Sequence, residues 1–216
     1  MKRLVSLLAL SVFTFSILTL SASAQQQETL FSSPVEHGGF GGVVTKMTPI
    51  RGEMAAMFGG YGGWLIGHQF MIGGGGYGLV SNVRASAEAE QAYSLNNKPL
   101  YVDFGYGGLM LEYIIEPTRL LHVNVQTLIG GGSVNYRENV YEDLFDDDAG
   151  DHRFGNGDAV FVAEPAVNVE LNVTDWFRVA AGASYRYVSS VSAIRGIENK
   201  DLSDVSGQLA LKFGSF

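Results

Sequence analysis

The chain contains no cysteine, which removes disulfide staples, thiolate metal centres and cysteine nucleophiles together. Proline is scarce, 5 among 216 residues, so there is little material for rigid linkers and the length suits one domain. Basic side chains are in deficit, 14 Lys and Arg against 22 Asp and Glu, for a net charge of −8. A surface of that sign disfavours nucleic acid, and none is expected as a partner. Beyond residue 24 no uninterrupted apolar run approaches the roughly 18 residues of a membrane-spanning helix.

What is abundant is glycine, 28 residues, and strict alternation of apolar and polar side chains. The clearest case is 159–190. Phe161, Ala163, Pro165, Val167, Val169 and Leu171 form one set, and Val162, Glu164, Ala166, Asn168 and Glu170 form the other. After a turn at 173–176 the pattern resumes, with Phe177, Val179, Ala181, Ala183, Tyr185 and Tyr187 against Arg178, Ala180, Gly182, Ser184 and Arg186. A period of two belongs to strands alone. Such strands are about twice the roughly 5–6 residues usual in soluble sheets and match the roughly 9–11 of a tilted membrane strand. The apolar set is therefore assigned to lipid and the polar set to a narrow interior.

The first 24 residues have a basic start, an apolar centre and the triplet Ala22-Ser23-Ala24, and read as a secretory signal peptide with cleavage expected before Gln25. Residues 25–36 are expected to form a periplasmic lead-in, and residues 37–216 the barrel. Eight strands are predicted: 38–48, 53–64, 69–81, 100–115, a fifth from Leu121, the pair of the long hairpin, and 204–216. A short helix is predicted near 85–93. Short connections follow the second, fourth and sixth strands, long ones follow the third, fifth and seventh, and a medium one follows the first. That parity fits an eight-stranded antiparallel up-and-down transmembrane β-barrel with short periplasmic turns and longer outer loops. Trp64, Tyr113 and Trp176 fall beside the short turns as an interfacial girdle, with Tyr101, Tyr136 and Tyr187 expected at the opposite rim.

Taken together, the segments GGFGGVVTKM (38–47), GGYGGWLIGHQFMIGGGGYGLV (59–80) and LKFGSF (211–216) resemble an uncharacterised family of small outer-membrane barrels of Bacteroidetes-type bacteria. The resemblance covers most of 36–216. It implies location in the outer membrane after export, and contact with outer-membrane lipid and the barrel-assembly machinery. It carries no active-site residues across. One departure concerns the ending: Leu209, Leu211 and Phe213 share a face, and Phe216 joins it only if a bulge lies near Gly214.

Four charges on the long hairpin are the sharpest site expectation. Glu170 is placed near Arg178, and Glu164 near Arg186, as cross-strand pairs in the lumen. His122, Asn124, Gln126 and Asn168 are expected to line the same interior. Eight strands leave room for side chains or one small ligand, so the pairs are expected to plug the barrel, with a charged constriction for a solute as the alternative. The glycine clusters of the first five strands are expected to fall into one belt that lets a small barrel curve, or lines a pocket for an acyl chain. Asp143, Asp146, Asp147, Asp148 and Asp151 crowd one connection, but their spacing is not that of an EF-hand, and a solvated acidic loop is expected rather than a calcium site. His122 is the candidate base of a lipid-modifying enzyme, with no serine near it on its own strand and Ser184 the candidate from another. No cofactor or metal is expected. The reading is a non-enzymatic barrel with a structural or interaction role, with a ligand-binding or narrow conducting barrel and an outer-membrane enzyme as alternatives.

Overall fold

The computed structural model describes residues 36–94, 98–137 and 154–216. Eight strands run in sequence order: β1 His37–Ile50, β2 Glu53–Ile66, β3 Phe70–Leu79, β4 Tyr101–Ile115, β5 Leu121–Arg137, β6 Phe154–Asn172, β7 Phe177–Ser189 and β8 Asp204–Ser215. Each pairs antiparallel with its neighbour, and β1 pairs with β8 from Gly39↔Ser215 to Met47↔Gly207, which closes the barrel. No helix among the described residues is long and apolar enough to cross a membrane.

Side chains alternate across the wall as the period predicts. In β6, Val160, Val162, Glu164, Ala166, Asn168 and Glu170 are buried, while Phe161, Val167, Val169 and Leu171 are exposed. The same holds in β5, where His122, Asn124, Gln126 and Leu128 point in and Leu121, Val123, Val125 and Ile129 point out. Large apolar side chains thus stand exposed around the outside, including Phe58, Leu109, Ile129, Val167 and Leu209.

One end of the barrel, here the turn end, carries the connections 67–69, 116–120 and 173–176. Gly67 and His68 both take positive φ there. The loop end carries 51–52, 80–94, 98–100 and 190–203. The first of these is shorter than the medium connection expected. Arg51 and Gly52, at φ 54 and 77, make a two-residue turn, and Pro49 lies inside β1 instead of in the turn. Proline is tolerated there because the β8 ladder has already ended at Met47, leaving no partner for a backbone N–H.

The predicted helix is present as α1, Ala87–Tyr93, with Ser86 as its cap accepting from Ala89 N at 3.1 Å. A one-turn helix α2, Asn199–Leu202, inside the last loop was not anticipated. The segment expected as a signal peptide, most of the expected lead-in and the acidic cluster 143–151 lie outside the described residues.

The glycines do register: Gly41↔Gly62, Gly62↔Gly74, Gly60↔Gly76, Gly76↔Gly107 and Gly107↔Gly131 run across five strands. A Cβ built on Gly59 would stand 2.0 Å from the Gly76 carbonyl oxygen, so backbones approach there more closely than any other residue permits. At the end of β8 no bulge occurs, because pairing with β1 is continuous to Ser215. Phe216 consequently stays on the inward face, stacked on Phe40 with ring centroids 5.3 Å apart.

Candidate functional site: the barrel lumen

The lumen is built from the inward residues of all eight strands, and its charged groups fall into two clusters. The first is centred on Glu164 of β6. Lys46 Nζ on β1 donates to its Oε2 at 2.7 Å, as does the Tyr106 hydroxyl on β4 at 2.6 Å, while Ser184 on β7 donates to Oε1 at 2.6 Å. Lys46 also stands 3.5 Å over the ring of Tyr77. Both oxygens of this carboxylate are thereby occupied, which offsets the cost of burying its charge.

The second cluster lies nearer the turn end. Lys212 of β8 bridges Glu112 of β4 and Glu170 of β6, all three fully or almost fully buried. Glu170 also accepts from Arg178 Nη1 at 3.2 Å and from Asn124 Nδ2 at 2.6 Å. Asn168 Nδ2 donates to Asn124 Oδ1 and Gln208 Nε2 donates to Asn168 Oδ1, which continues the network across β5, β6 and β8. Arg178 lies flat over Phe216, its guanidinium carbon 3.9 Å from the ring centroid.

Both predicted arginines point inward, but only one pairs as expected. Glu170 meets Arg178 diagonally, since Asn172 is the register partner of Arg178. Glu164 does not pair with Arg186. Arg186 instead donates to the Leu202 carbonyl at 2.7 Å, to Thr48 Oγ1 at 3.3 Å and to Met57 Sδ at 3.2 Å. The barrel is narrow enough for lysines to cross the lumen, and Lys46 reaches Glu164 before Arg186 does. The buried ion pairs of the lumen are thus mainly Glu with Lys, not Glu with Arg.

Lys46, Lys212 and Glu112 are members of the lumen charge clusters that sequence reasoning missed. A signal for Lys212 existed: Gln208, Ala210 and Lys212 alternate cleanly against Leu209, Leu211 and Phe213. For Lys46 the flanking glycines blur the pattern.

His122 is buried, with Nδ1 donating to the Arg119 carbonyl at 3.1 Å and Nε2 3.4 Å from Glu170 Oε1. Ser184 is committed to Glu164, so it is not a nucleophile bound to His122. Trp64, Tyr113 and Trp176 stand about half exposed beside the turns, and Trp176 stacks on Phe213 at 6.2 Å. At the opposite rim Tyr187 is exposed, but Tyr136 is fully buried, because even-numbered residues of β5 face inward; its hydroxyl donates to the Arg195 carbonyl at 2.7 Å.

Above Phe104 the lumen changes character. Val102, Phe104, Val134, Val160, Val162 and Val188 fill it, and Leu100, Ile194, Ile197 and Leu202 from the loops cover them. The cover is fastened: Asp158 Oδ2 accepts from the backbone N–H groups of Ser192, Ala193 and Ile194 at 2.7, 2.7 and 3.0 Å. Gly196, at φ 80, packs where any Cβ would collide with Ser86. At the turn end, by contrast, a cavity of about 480 Å³ is lined by His68, Asn172, Asp175, Arg178 and Phe216, among others. Several buried polar atoms of the lumen, the Gln126 and Gln208 carbonyl oxygens among them, have no partner within the protein. Each costs about 1–3 kcal/mol if left dry.

No family model and no curated protein matches this chain. Solved structures do. The N-terminal β-barrel domain of Pseudomonas aeruginosa OprF is 11% identical over 81% of this chain and 96% of its own, with a TM-score of 0.47. Neisserial surface protein A is 12% identical over 84% and 97%, with a TM-score of 0.48. Ail of Yersinia pestis is 10% identical over 83% and 98%, at 0.43. Likeness at this level concerns the barrel architecture, which the strand pairing of this chain establishes by itself.

Proposed function

We propose that this protein is a non-enzymatic outer-membrane barrel, exported by its signal peptide, with a stoppered lumen and a loop end that serves as its interaction surface. The observation that carries the reading is the closed barrel with apolar residues outside and paired charges inside, the reverse of a soluble barrel. An exposed belt holding Phe58, Leu109, Ile129 and Leu209 is a poor surface for water and a good one for lipid chains. Trp64, Tyr113 and Trp176 then sit at one lipid–water boundary. Outer-membrane lipid and the barrel-assembly machinery are the partners this reading requires.

Two measurements test it. The protein is expected in the outer-membrane fraction, and recovery in the soluble fraction sinks the proposal. In planar bilayers the reconstituted barrel is expected to stay electrically silent, and sustained conductance would remove the stopper.

A second reading, a barrel that binds a small ligand, is favoured by the turn-end cavity with Arg178 in its lining. Native mass measurement after gentle extraction separates the two readings, since a copurifying small molecule supports the second. The lipid-modifying alternative requires a nucleophile near His122, and among the described residues no hydroxyl is hydrogen-bonded to either ring nitrogen. A change in lipid composition on deletion would revive it.

A further inference from the structure

We infer that the lumen is a dead-end aqueous half-channel, in which bound water enters from the turn end, reaches the level of Tyr77 and stops beneath a dry seal at the loop end. Two independent sets of observations carry this.

The first is a set of orphaned atoms. Glu112 Oε2, Gln126 Oε1, His122 Nε2, Gln208 Oε1, Ser206 Oγ and the Tyr77 hydroxyl are buried and make no hydrogen bond within the protein. Three of them are acceptor-only oxygens, and the nearby cations are already committed: Lys212 to Glu112 Oε1 and Glu170, Lys46 to Glu164. Glu112 and Gln126 are register partners on β4 and β5, and the Tyr61 hydroxyl lies against the same Glu112 carboxyl, so polar groups gather at this level of the lumen. A water, with two hydrogens to give, suits acceptor-only oxygens of this kind. Gln208 is the register partner of Lys46, and Lys46 overlies Tyr77, so these six follow the polar network upward; Asn135 Oδ1 and Arg137 Nε at the loop end of β5, and Asn172 Oδ1 at the end of β6, are unpartnered as well but do not belong to that network.

The second is the contrast between the two ends. Arg178 lines the turn-end cavity and binds Glu170, which in turn touches Lys212 and His122; polar groups therefore lead without a break from solvent to the orphans. On the other side, Val102, Phe104, Val160 and Val162 are at most 5% exposed and offer water nothing to bind. Arg186, the one cation at that level among the described residues, is spent on Leu202, Thr48 and Met57. Water needs two to four polar partners to remain in place; the lumen supplies them on the turn-end side, while Val102, Phe104, Val160 and Val162 above supply none.

The inference shares with the proposed function only the closed loop end. Because the chain has no cysteine, single Gln126→Cys, Gln208→Cys and Val162→Cys variants of the full chain in lipid nanodiscs report access cleanly. Silver ion, a thiol reagent little larger than water, is the probe. Gln126→Cys and Gln208→Cys are expected to react at least roughly tenfold faster than Val162→Cys, whose reaction must await an opening of the seal. Equal rates at all three positions overturn the half-channel.

If a cysteine variant fails to fold, the unaltered protein decides. Magnetization transfer from water to the Gln126 and Gln208 carboxamide protons is expected, with none to the Val162 methyls, and its absence at both carboxamides overturns the inference. Bilayer recordings keep the two ideas apart. Sustained current with a reactive Val162→Cys defeats the stopper, whereas silence with dry carboxamides defeats the half-channel alone.

Discussion

Between Lys46 and the turn end the lumen is filled by carboxylates and cations that span it from wall to wall; between Phe104 and the loop end it is filled by branched and aromatic side chains under a fastened cover. The same strands build both halves. What differs is how each keeps its shape. The charged half depends on a few specific partners, so loss of one strands the others in a dry place. The apolar half depends on volume, so it gives way by degrees. The comparison suggests a division of labour in which one half fixes the register of the barrel and the other closes it.

The charged half is most vulnerable at Lys212. Lys212→Met leaves Glu112 and Glu170 facing each other and is expected to cost about 3–5 kcal/mol in urea unfolding from detergent. Adding Glu112→Gln, which removes the repulsion while leaving Glu170 ionised against Arg178, should recover part of that loss, and no recovery would mean that packing rather than charge holds this half. In the apolar half, Phe104→Ala is expected to cost about 3 kcal/mol, with no dependence on partner substitutions.

Asp158→Asn addresses the fastening of the cover. It replaces a charged acceptor of three backbone N–H groups and should cost about 1–2 kcal/mol. Hydrogen exchange should accelerate at 192–194 while the β5 and β6 amides of the lumen wall stay protected. Acceleration throughout would show that the two halves are not separable.

The smallest effect is expected on the rim, where Arg84 holds the Glu90 carboxyl below its usual range by hydrogen bonding at 2.9 Å. A depressed carboxyl contributes stability above its unfolded value and loses it as pH falls through its folded value; being exposed, this pair contributes little. Arg84→Gln should return the Glu90 titration midpoint upward to the ordinary carboxylate range by NMR, without a change in unfolding. A midpoint that stays low would assign the shift to the Leu100 backbone N–H instead.

How much of this was legible in sequence depended on distance within the wall. Strands β5 to β7 could be read because their polar and apolar sets alternate, and Glu164, Glu170, Arg178, Arg186, His122, Asn124, Gln126 and Asn168 are all buried. Partner choice was legible only between neighbouring strands. Glu170 and Arg178 could be paired from the hairpin turn, but Lys46 and Glu164 lie on β1 and β6, and Lys212 and Glu112 on β8 and β4. Nothing in a one-dimensional pattern reports a contact across a lumen. Tyr136 was a lapse of parity, and the two-residue turn at Arg51 was hidden by a proline that sits harmlessly in the strand.

The fastening of the cover has a consequence for anything that recognises this end. Arg51 at the tip of the first hairpin binds the carbonyls of Asp201 and Gly196, Arg195 N donates to the Tyr93 hydroxyl, and Tyr136 holds Arg195 from below. Segments around residues 51, 93 and 195 therefore present one composite face. An antibody raised against the folded protein would find a discontinuous epitope there, one that no synthetic peptide copied from a single loop reproduces.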